Sequence, residues 1–585
     1  MKKLWIYLKA YKKESVLAPL FKLLESLMDL LVPLVVAAII DRGIGKDMGL
    51  TVRMFFLLIL MAALGMAFSF TAQWMAAKAS VGFATRLRQA LFDHIQRLGY
   101  RELDTLGTDT LITRMTSDIN QVQNGVNLSL RLLLRSPFIV FGAMIMAFTI
   151  DVQCAWLFAV AIPLLSVVVF GIMLKSIPLF ARVQAALDRL LGLTRENLSG
   201  VRVIRAFCKE KDEIDEFDRR NALLTRLNER VGRLSALMNP TTYLIINLAT
   251  ALLISRGALR VEAGALLQGD VVALYNYMAL IVVELIKLAS LIITIDKSVA
   301  CARRVADMLG TEPSMEYPAQ TKEKADGDAP FVAFENVSFA YQDGGDAALS
   351  RIDFAAQRGQ TIGVIGGTGS GKTTLVDLIA RFYDATGGRV LVDGRDVRDY
   401  ARGELVARIG VVPQKALLFE GTVRENLRWG NEGASDEALW EALTAAQAAD
   451  VVRGKDGQLD ARVEQGGRNL SGGQRQRLTI ARALVKKPEI LILDDSASAL
   501  DFATDLALRR AIRALPGDMT VFIVSQRTSS VRMADRILVL DDGRLSGSGT
   551  HEELLRTCPV YEEIYYSQFP DERPAAHGEQ KGEAL

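Results

Sequence analysis

Histidine is scarce in this sequence of 585 residues, which contains three of them: His94, His551 and His577. Any reaction that requires a histidine therefore has few candidate groups. The four cysteines, at positions 154, 208, 301 and 558, lie far apart, and none belongs to a C-x-x-C pair. This spacing argues against a zinc site and against a disulfide framework, and it fits a reducing compartment.

An excess of charge of either sign is also missing. The 69 Lys and Arg residues nearly balance the 67 Asp and Glu residues, so the charge does not indicate a nucleic-acid partner. The mean hydropathy is nevertheless +0.21, although 23% of the residues are charged. Both values hold only if apolar and charged residues are segregated along the chain. We therefore expect a membrane-embedded part joined to a soluble part.

Long apolar runs occur in the first half of the chain. A membrane-spanning helix needs about 20 mostly apolar residues. We predict six such helices, at about residues 16–40, 54–77, 130–150, 152–174, 240–260 and 271–295. Trp5, Tyr7 and Tyr11 stand among lysines, a pattern typical of a helix lying on the inner membrane surface. Residues 1–311 are thus predicted to form an all-α, six-helix transmembrane domain.

The connections between these spans set the predicted orientation. Basic residues concentrate at the N-terminus and between residues 175 and 233. Because cytoplasmic loops are rich in Lys and Arg, both termini and the long connections 78–127 and 175–239 are predicted to lie on the cytoplasmic side of the inner membrane. Both connections keep helical spacing, which predicts pairs of long helices that extend into the cytoplasm and join at a short turn.

Some charged residues fall inside or near the predicted spans. They could line a polar substrate cavity. Alternatively, they lie near the cytoplasmic ends of the spans, ion-paired or reaching the membrane surface with their long side chains. Their mixed signs favour neither an anionic nor a cationic substrate. These residues are Lys22, Glu25, Asp29, Arg131, Arg135, Glu284 and Lys287.

A second domain follows a polar linker. Residues 312–330 combine prolines with alternating charges, which predicts a linker. Residues 331–569 alternate short β-rich runs with helical stretches, which predicts an α/β domain. The polar residues 570–585 are expected to be disordered.

A glycine-rich segment in the second domain matches the phosphate-binding pattern G-x-x-x-x-G-K-[ST], with an apolar run at 361–365 before it and a helix-like run at 375–381 after it. In such a loop the backbone N–H groups point at phosphate oxygens, Lys372 adds a positive charge, and the Thr373 hydroxyl can bind Mg²⁺. The predicted nucleotide-binding residues here are Gly366, Gly367, Thr368, Gly369, Ser370, Gly371, Lys372, Thr373 and Thr374.

Two carboxylates follow another apolar run further along the chain. Residues 490–493 read Ile-Leu-Ile-Leu and lead directly into Asp494 and Asp495. A buried strand that ends in carboxylates can hold Mg²⁺ and orient a water molecule. Together with the phosphate-binding loop, Asp494 is predicted to be a magnesium ligand.

Between these two segments, residues 470–474 read Leu-Ser-Gly-Gly-Gln, and the sequence as a whole resembles the ATP-binding cassette (ABC) transporters. This segment is similar to their signature, Gln414 to the Q-loop glutamine, Asp501 to the D-loop aspartate, and Tyr341 to the aromatic residue that stacks on adenine. The resemblance implies an ABC nucleotide-binding domain that takes ATP and Mg²⁺, with Thr373, Gln414 and Asp494 around the metal.

Six spans ahead of one cassette resemble the half-transporter layout of ABC exporters. In that family two cassettes enclose two ATP molecules, and the signature of one cassette acts on the nucleotide held by the other. Ser471, Gly472 and Gly473 are therefore expected to act on a partner's nucleotide. Residues 101–106 and about 207–213 would occupy the positions of the coupling helices.

Two positions depart from the family's pattern. Members that hydrolyse ATP usually carry Glu where this chain has Asp495, and His at the switch position, where it has Gln526. The Asp carboxylate lies one methylene nearer the backbone, about 1.5 Å, and a general base must lie within ~2.6–3.2 Å of the group it deprotonates. Gln526 can donate a hydrogen bond but bears no charge.

These departures predict a degenerate ATP site beside an intact signature. The sequence then resembles the degenerate-site subunit of heterodimeric bacterial multidrug-type exporters, and a second half-transporter would supply the catalytic site. A homodimer that hydrolyses ATP at its own sites remains an alternative, as does a non-transporting ABC regulator. The substrate, whether a small molecule, a lipid or a peptide, is left open.

Overall fold

The computed structural model describes residues 4–44, 46–322, 329–341 and 344–573. Part of the predicted linker and residues 574–585 of the predicted disordered tail lie outside these described residues. The chain divides into two compact units. The first contains the residues up to Arg97 together with Leu106–Thr311, and the second contains Leu98–Thr105 together with the residues from Glu312 onwards.

Every regular element described in the first unit is helical. Its helices are, in chain order, Trp5–Leu8, Lys12–Ala38, Met48–Ile95, Thr108–Thr113, Ile119–Leu132, Arg135–Ile150, Val152–Ser199, Val201–Ala206, Glu210–Ala236, Met238–Glu262 and Gln268–Met308. Among the described residues, six helical segments are long and apolar enough to cross a membrane. They are Trp5–Gly43, Met48–Ile95, Thr108–Ile150, Val152–Ser199, Glu210–Glu262 and Gln268–Met308.

Polar side chains fix where some of these helices begin. Asp47 accepts a hydrogen bond from Leu50 N at 3.0 Å at the start of Met48–Ile95. Asp151 does the same for Cys154 N at 2.8 Å at the start of Val152–Ser199. Each aspartate satisfies a backbone N–H that has no acceptor within its own helix. The two aspartates thus define where Met48–Ile95 and Val152–Ser199 begin after the turns that precede them.

Two of the predicted helical stretches contain interruptions. The predicted span 130–150 begins inside Ile119–Leu132, and a break at residues 133–134 separates that helix from Arg135–Ile150. Between Val201–Ala206 and Glu210–Ala236 the chain turns, and Cys208 has a φ of 52°. A left-handed residue other than glycine cannot continue a right-handed helix. A turn therefore occupies part of the stretch 207–213, where a coupling helix was expected.

Six of the seven charged residues named near the spans form ion pairs, and Arg131 instead hydrogen-bonds Asn127. Arg135 contacts Glu284 at 2.6 Å and Asp29 at 3.0 Å, and Lys22 contacts Glu25 at 2.5 Å. Glu284 and Lys22 are buried. A buried charge is tolerated only with a partner. These contacts support the interpretation in which the charges pair with one another.

The second unit is built on β-strands. The strands are β1 (Val332–Phe339), β2 (Leu349–Ala356), β3 (Thr361–Gly366), β4 (Gly387–Val392), β5 (Arg395–Asp396), β6 (Ile409–Val412), β7 (Gly421–Thr422), β8 (Arg462–Val463), β9 (Ile490–Asp494), β10 (Thr520–Val524), β11 (Arg536–Asp541) and β12 (Arg544–Gly549). They form sheets in the orders β2-β1-β4-β5, β12-β11-β3-β10-β9-β6 and β7-β8.

Helices connect and cover these strands. They are Tyr100–Leu106, whose residues up to Thr105 belong to this unit, Lys372–Ile379, Glu404–Arg408, Val423–Arg428, Asp436–Ala445, Ala449–Arg453, Gly472–Val485, Phe502–Arg513, Thr528–Val531, His551–Thr557 and Pro559–Gln568. The predicted fold class is confirmed: an all-α six-span domain precedes an α/β domain.

The longest sheet brings distant parts of the second unit to one edge. Strand β10 pairs in parallel with β3 and with β9, and β9 pairs in parallel with β6. All residues of β9 and β10 are buried, as expected for parallel strands covered on both faces. Because the carboxyl ends of parallel strands meet at one edge, Gly366, Asp494 and Val524 lie side by side there.

Candidate nucleotide-binding site

The phosphate-binding loop begins where β3 ends and leads into the helix Lys372–Ile379. Gly371 immediately before this helix has a φ of 92°, and Gly369 has a φ of 82°. A Cβ atom on Gly371 would lie 2.7 Å from the carbonyl oxygen of Ala348, and one on Gly366 would lie 2.1 Å from that of Leu540. Only glycine fits at these positions, because the backbone turns sharply while neighbouring backbone approaches closely.

Lys372 folds back over this loop. Its Nζ donates hydrogen bonds to the carbonyl oxygens of Gly367 at 2.5 Å and Gly366 at 3.1 Å. Burial lowers the pKa of Lys372, whereas the charges of Asp495 and Asp494 oppose that shift. A cation is thus held over a glycine-rich loop, and a positive charge combined with the N–H groups of such a loop suits a polyphosphate.

Thr373 and Asp494, which the sequence predicts to be magnesium ligands, lie next to each other. The Thr373 hydroxyl lies 3.1 Å from both carboxylate oxygens of Asp494. Burial raises the pKa of Asp494, and the charge of Asp495 raises it further, while the Thr373 hydrogen bond lowers it. A divalent cation would relieve this clustering of negative charge. Hydroxyl and carboxylate oxygens are the ligands that Mg²⁺ prefers, so these residues fit the ion.

A cavity of about 310 Å³ joins these groups to more distant ones. It is enclosed by residues that are widely separated in the sequence. Those predicted as site residues are Tyr341, Thr368, Gly369, Gly371, Lys372, Thr373, Thr374, Gln414, Asp494, Asp495 and Gln526, and Ala348, Val524 and Ser525 complete the lining.

Tyr341 forms one wall of this cavity. Its side chain is partly exposed, and its hydroxyl lies 2.8 Å from the Thr374 hydroxyl, within hydrogen-bonding distance. The ring meets Phe339 edge-on, with ring centroids 4.9 Å apart. An aromatic ring held at the mouth of a polar cavity offers a surface on which a planar base can stack.

Asp495 follows β9 directly and lines the same cavity as Tyr341. Its backbone is left-handed, with a φ of 43°, and its N–H donates to the carbonyl oxygen of Val524 at 3.0 Å. Gln414 Nε2 donates to the Asp495 carboxylate at 3.4 Å. Burial raises the pKa of Asp495, and the Gln414 hydrogen bond lowers it, as do the charges of Arg527 and Lys372. The short side chain is therefore fixed by its backbone and by Gln414.

Gln526 follows β10 and faces the same cavity. Its backbone oxygen accepts a hydrogen bond from Gln568 Nε2 at 2.8 Å, which fastens this stretch to the helix Pro559–Gln568. The preceding residue, Ser525, was not predicted as a site residue, although it lies immediately beyond the strand that pairs with β3. The signal that could have identified Ser525 is its position directly after β10, the strand that pairs with the strand leading into the phosphate-binding loop.

The signature residues lie at the start of the helix Gly472–Val485. Ser471 Oγ accepts a hydrogen bond from Gln474 N at 3.3 Å, and the Gln474 side chain accepts one from Ser471 N at 3.0 Å. Ser471 and Gly472 are exposed. Among the described residues that line the cavity, none belongs to this signature, so a nucleotide in that cavity is held by the other site residues.

Asp501 has a comparable local role. It caps the helix Phe502–Arg513 by accepting hydrogen bonds from Thr504 N at 2.9 Å and from the Thr504 hydroxyl at 2.8 Å. These hydrogen bonds lower the pKa of Asp501. Its carboxylate is therefore ionised near neutral pH and occupied by its own helix terminus.

Comparisons with known proteins agree over nearly the whole chain. The family models for the ABC transporter transmembrane region and for the ABC transporter match residues 15–285 and 349–498. An uncharacterized ABC transporter ATP-binding protein of Mycobacterium tuberculosis is 38% identical over 566 residues, which cover 96% of this chain and 97% of that protein.

Other relatives include an uncharacterized ABC transporter ATP-binding protein of Bacillus subtilis, 36% identical over 97% of this chain and 99% of its own length. An ATP-dependent lipid A-core flippase of Syntrophus aciditrophicus is 32% identical over 83% of this chain and 80% of its own length. The fold is similar to that of a bacterial Atm1-family ABC exporter with ATP bound, with a TM-score of 0.79, 24% identity, and coverage of 95% of this chain and 98% of that one.

Proposed function

This chain belongs to the ABC transporter family, and from that premise we propose that it is one half of a heterodimeric exporter whose own ATP site is degenerate. The observation that carries the proposal is the composition of a single cavity. Asp495 and Gln526 lie there together with an intact set of nucleotide-binding residues, which includes Lys372 and Thr373. ATP would bind at this site, whereas hydrolysis would take place mainly at the partner's site.

ATP binding follows from the residues of this chain. Lys372 exchanges its hydrogen bonds to the loop carbonyls for phosphate oxygens, because a charged acceptor makes the stronger bond. The Tyr341 ring receives the adenine base. Thr373, Gln414 and Asp494 supply oxygens for Mg²⁺, which when bound neutralises developing charge on the phosphates.

We attribute the weak hydrolysis at this site to the distance between the Asp495 carboxylate and the attacking water. The left-handed backbone at Asp495 and the contact with Gln414 fix the carboxylate close to its own strand. A longer Glu side chain would place the same group about 1.5 Å further into the cavity. Gln526 adds a neutral donor where a charged one would stabilise the γ-phosphate more strongly. Both changes lower the rate without removing a contact needed for binding.

The signature of this chain remains suited to act on a partner. The Ser471 hydroxyl uses its oxygen to accept the Gln474 N–H, so its proton is left to donate. The same helix terminus carries exposed N–H groups and a positive dipole end, which favour an anion. We infer that this surface binds the γ-phosphate of ATP held by the partner, and that this chain thereby completes the catalytic site.

The exported substrate would cross the inner membrane, with the ATP-binding domain and both termini in the cytoplasm. ATP can drive the change between inward- and outward-facing states only through its higher affinity for the closed arrangement of the two cassettes. The relative that is named a lipid A-core flippase makes an amphiphilic lipid a reasonable first candidate, beside small molecules and peptides.

The test compares the chain purified alone with the chain purified together with a second half-transporter. Alone, it should bind ATP and show little Mg²⁺-dependent hydrolysis, whereas the pair should hydrolyse ATP at an ordinary rate. Lys372→Ala in the isolated chain controls for contaminating ATPases. Robust, Lys372-dependent turnover by the isolated chain would support the homodimer instead.

A further inference from the structure

Five aromatic side chains connect the adenine side of the cavity to the helix Tyr100–Leu106. We call Tyr100, Phe339, Tyr341, Phe382 and Tyr383 the aromatic cluster. Tyr100 stacks on Phe382 with ring centroids 4.6 Å apart, and Tyr383 meets Tyr341 edge-on, at 5.3 Å and an interplanar angle of 86°. Phe339 contacts both Tyr341 and Tyr383, at 4.9 Å and 5.5 Å.

Tyr383 contacts both Tyr341, which lines the cavity, and Asp104 of the helix Tyr100–Leu106. Its hydroxyl donates a hydrogen bond to Asp104 Oδ2 at 2.6 Å, across 279 positions of sequence. Burial raises the pKa of Tyr383, and the hydrogen bond to Asp104 raises it further, so the hydroxyl keeps its proton at physiological pH. A hydrogen bond to a charged acceptor is stronger than one between neutral groups.

The turn that carries Tyr383 is held firmly. Arg381 has a φ of 52°, which ends the helix that follows the phosphate-binding loop, and Phe382 N donates to the carbonyl oxygen of Asp377 at 3.0 Å. The Arg381 side chain is buried, and its guanidinium donates to Asp384 at 2.8 Å and to the carbonyl oxygen of Glu316 at 2.7 Å. Tyr383 therefore projects in a fixed direction from the nucleotide site.

We propose that Tyr383 is a positioning residue through which a base stacked on Tyr341 stabilises the helical residues 100–105 in their place within the same unit. The inference rests on the proposed binding of ATP. A base on the exposed face of Tyr341 restricts that ring, whose edge contact with Tyr383 is then fixed, and the Tyr383 hydroxyl in turn holds Asp104. The coupling is reciprocal, so the docked helix also raises affinity for the base.

Hydrogen exchange measured on the full-length chain in lipid nanodiscs tests this coupling without knowledge of the transported substrate. The wild-type chain is compared with Tyr383→Phe, which removes only the hydroxyl. The matched control is Tyr100→Phe, which removes a hydroxyl from the same cluster but keeps the ring that stacks on Phe382. Each protein is measured alone, with Mg-ATP and with Mg-tripolyphosphate, which lacks the base.

In the wild-type chain, Mg-ATP should slow exchange in residues 100–106, whereas Mg-tripolyphosphate should slow it only in the phosphate-binding loop. Tyr383→Phe should lose about tenfold of the protection that ATP adds to residues 100–106, equivalent to ~1.4 kcal/mol. Its affinity for ATP should fall by a similar factor, about tenfold, because the coupling is reciprocal. Tyr100→Phe should retain the added protection.

Variants of Asp104 separate positioning from general packing. Asp104→Asn keeps an acceptor oxygen and should preserve most of the added protection, whereas Asp104→Ala should match Tyr383→Phe. The double variant Tyr383→Phe/Asp104→Ala should be no worse than either single change, because both remove the same hydrogen bond.

Full ATP-dependent protection in Tyr383→Phe would overturn the inference, as would an equal loss in Tyr100→Phe or equal protection of the helix by tripolyphosphate. ATP protection of the phosphate-binding loop without protection of the helix would also refute it and leave the proposed function standing. If ATP protects neither region of the wild-type chain, the proposed binding of ATP itself fails.

Discussion

Replacing Asp495 by Asn in the assembled heterodimer removes a carboxylate and leaves the size of the side chain unchanged. The Asn carbonyl can still accept the Gln414 hydrogen bond, which measures 3.4 Å in the structure. If Asp495 is too short to act as a base, ATPase turnover should fall less than about threefold, or ~0.65 kcal/mol in barrier height. Losing a working general base would instead cost about 10²–10⁴-fold.

The companion change, Ser471→Ala, acts on the other site. Its hydroxyl caps the helix Gly472–Val485 through Gln474 N at 3.3 Å and keeps its proton free to donate. The loss of a cap costs about 1 kcal/mol of stability and does not alter turnover per folded molecule. The loss of a donor aimed at the partner's γ-phosphate lowers turnover on the order of 10²-fold.

The chain offers a matched control for the capping effect alone. Ser435 caps the helix Asp436–Ala445 by accepting a hydrogen bond from Ala438 N at 3.4 Å, within the same domain but outside the signature. Ser435→Ala should therefore reduce stability to a similar extent and leave turnover nearly unchanged.

The assay is steady-state phosphate release, divided by the concentration of heterodimer that elutes as an assembled complex. A large loss with Asp495→Asn and little change with Ser471→Ala would refute the reasoning, since this chain's own site would then be the catalytic one. Equal losses with Ser471→Ala and Ser435→Ala would show that Ser471 acts as a helix cap only.

Three further predictions address binding, catalysis and stability. Lys372→Ala should weaken ATP binding about 10–150-fold, because it removes a charge-assisted contact worth ~1.5–3 kcal/mol, and equilibrium binding of labelled ATP measures this. Asp495→Glu combined with Gln526→His should raise the ATPase rate of the isolated chain at least about tenfold, as a better-placed base contributes ~10²–10⁴-fold; an unchanged phosphate-release rate would argue against a reach-limited site. Arg135→Leu should destabilise the first unit by about 3–5 kcal/mol, since it leaves the Glu284 carboxylate buried without its closest partner; thermal unfolding in detergent tests this, and Arg135→Leu with Glu284→Leu should recover stability.

Several features of this protein follow from local sequence alone. A run of about 20 apolar residues needs no tertiary context to predict a span, because the bilayer sets the length of helix required. The phosphate-binding loop is equally local, since the glycines, Lys372 and Thr373 are contiguous and the flanking strand and helix are short-range elements. The two departures, Asp495 and Gln526, could also be identified from sequence, because Asp495 follows β9 directly and Gln526 lies two residues after β10.

The contacts between these segments depended on the tertiary structure. Which side chains share the cavity depends on the order and register of parallel strands, and β3, β9 and β10 are neighbours although they are far apart in sequence. The ion pair of Arg135 with Glu284 joins residues 149 positions apart, and a sequence shows only that both charges exist. Helix interruptions such as the one at Cys208 depend on a single backbone angle, which hydrophobic periodicity does not encode.

Local sequence alone indicates the parts of this protein: six apolar helical stretches, an ABC transporter domain with a Leu-Ser-Gly-Gly-Gln segment, and a short acid and a neutral amide at positions 495 and 526. Packing of the chain fixes Asp495 through a left-handed backbone and Gln414, and it brings Asp104 to Tyr383 within one unit. Apolar periodicity and loop motifs are short-range properties, whereas a hydrogen bond of 2.6 Å between residues 279 positions apart exists only once the whole unit has packed.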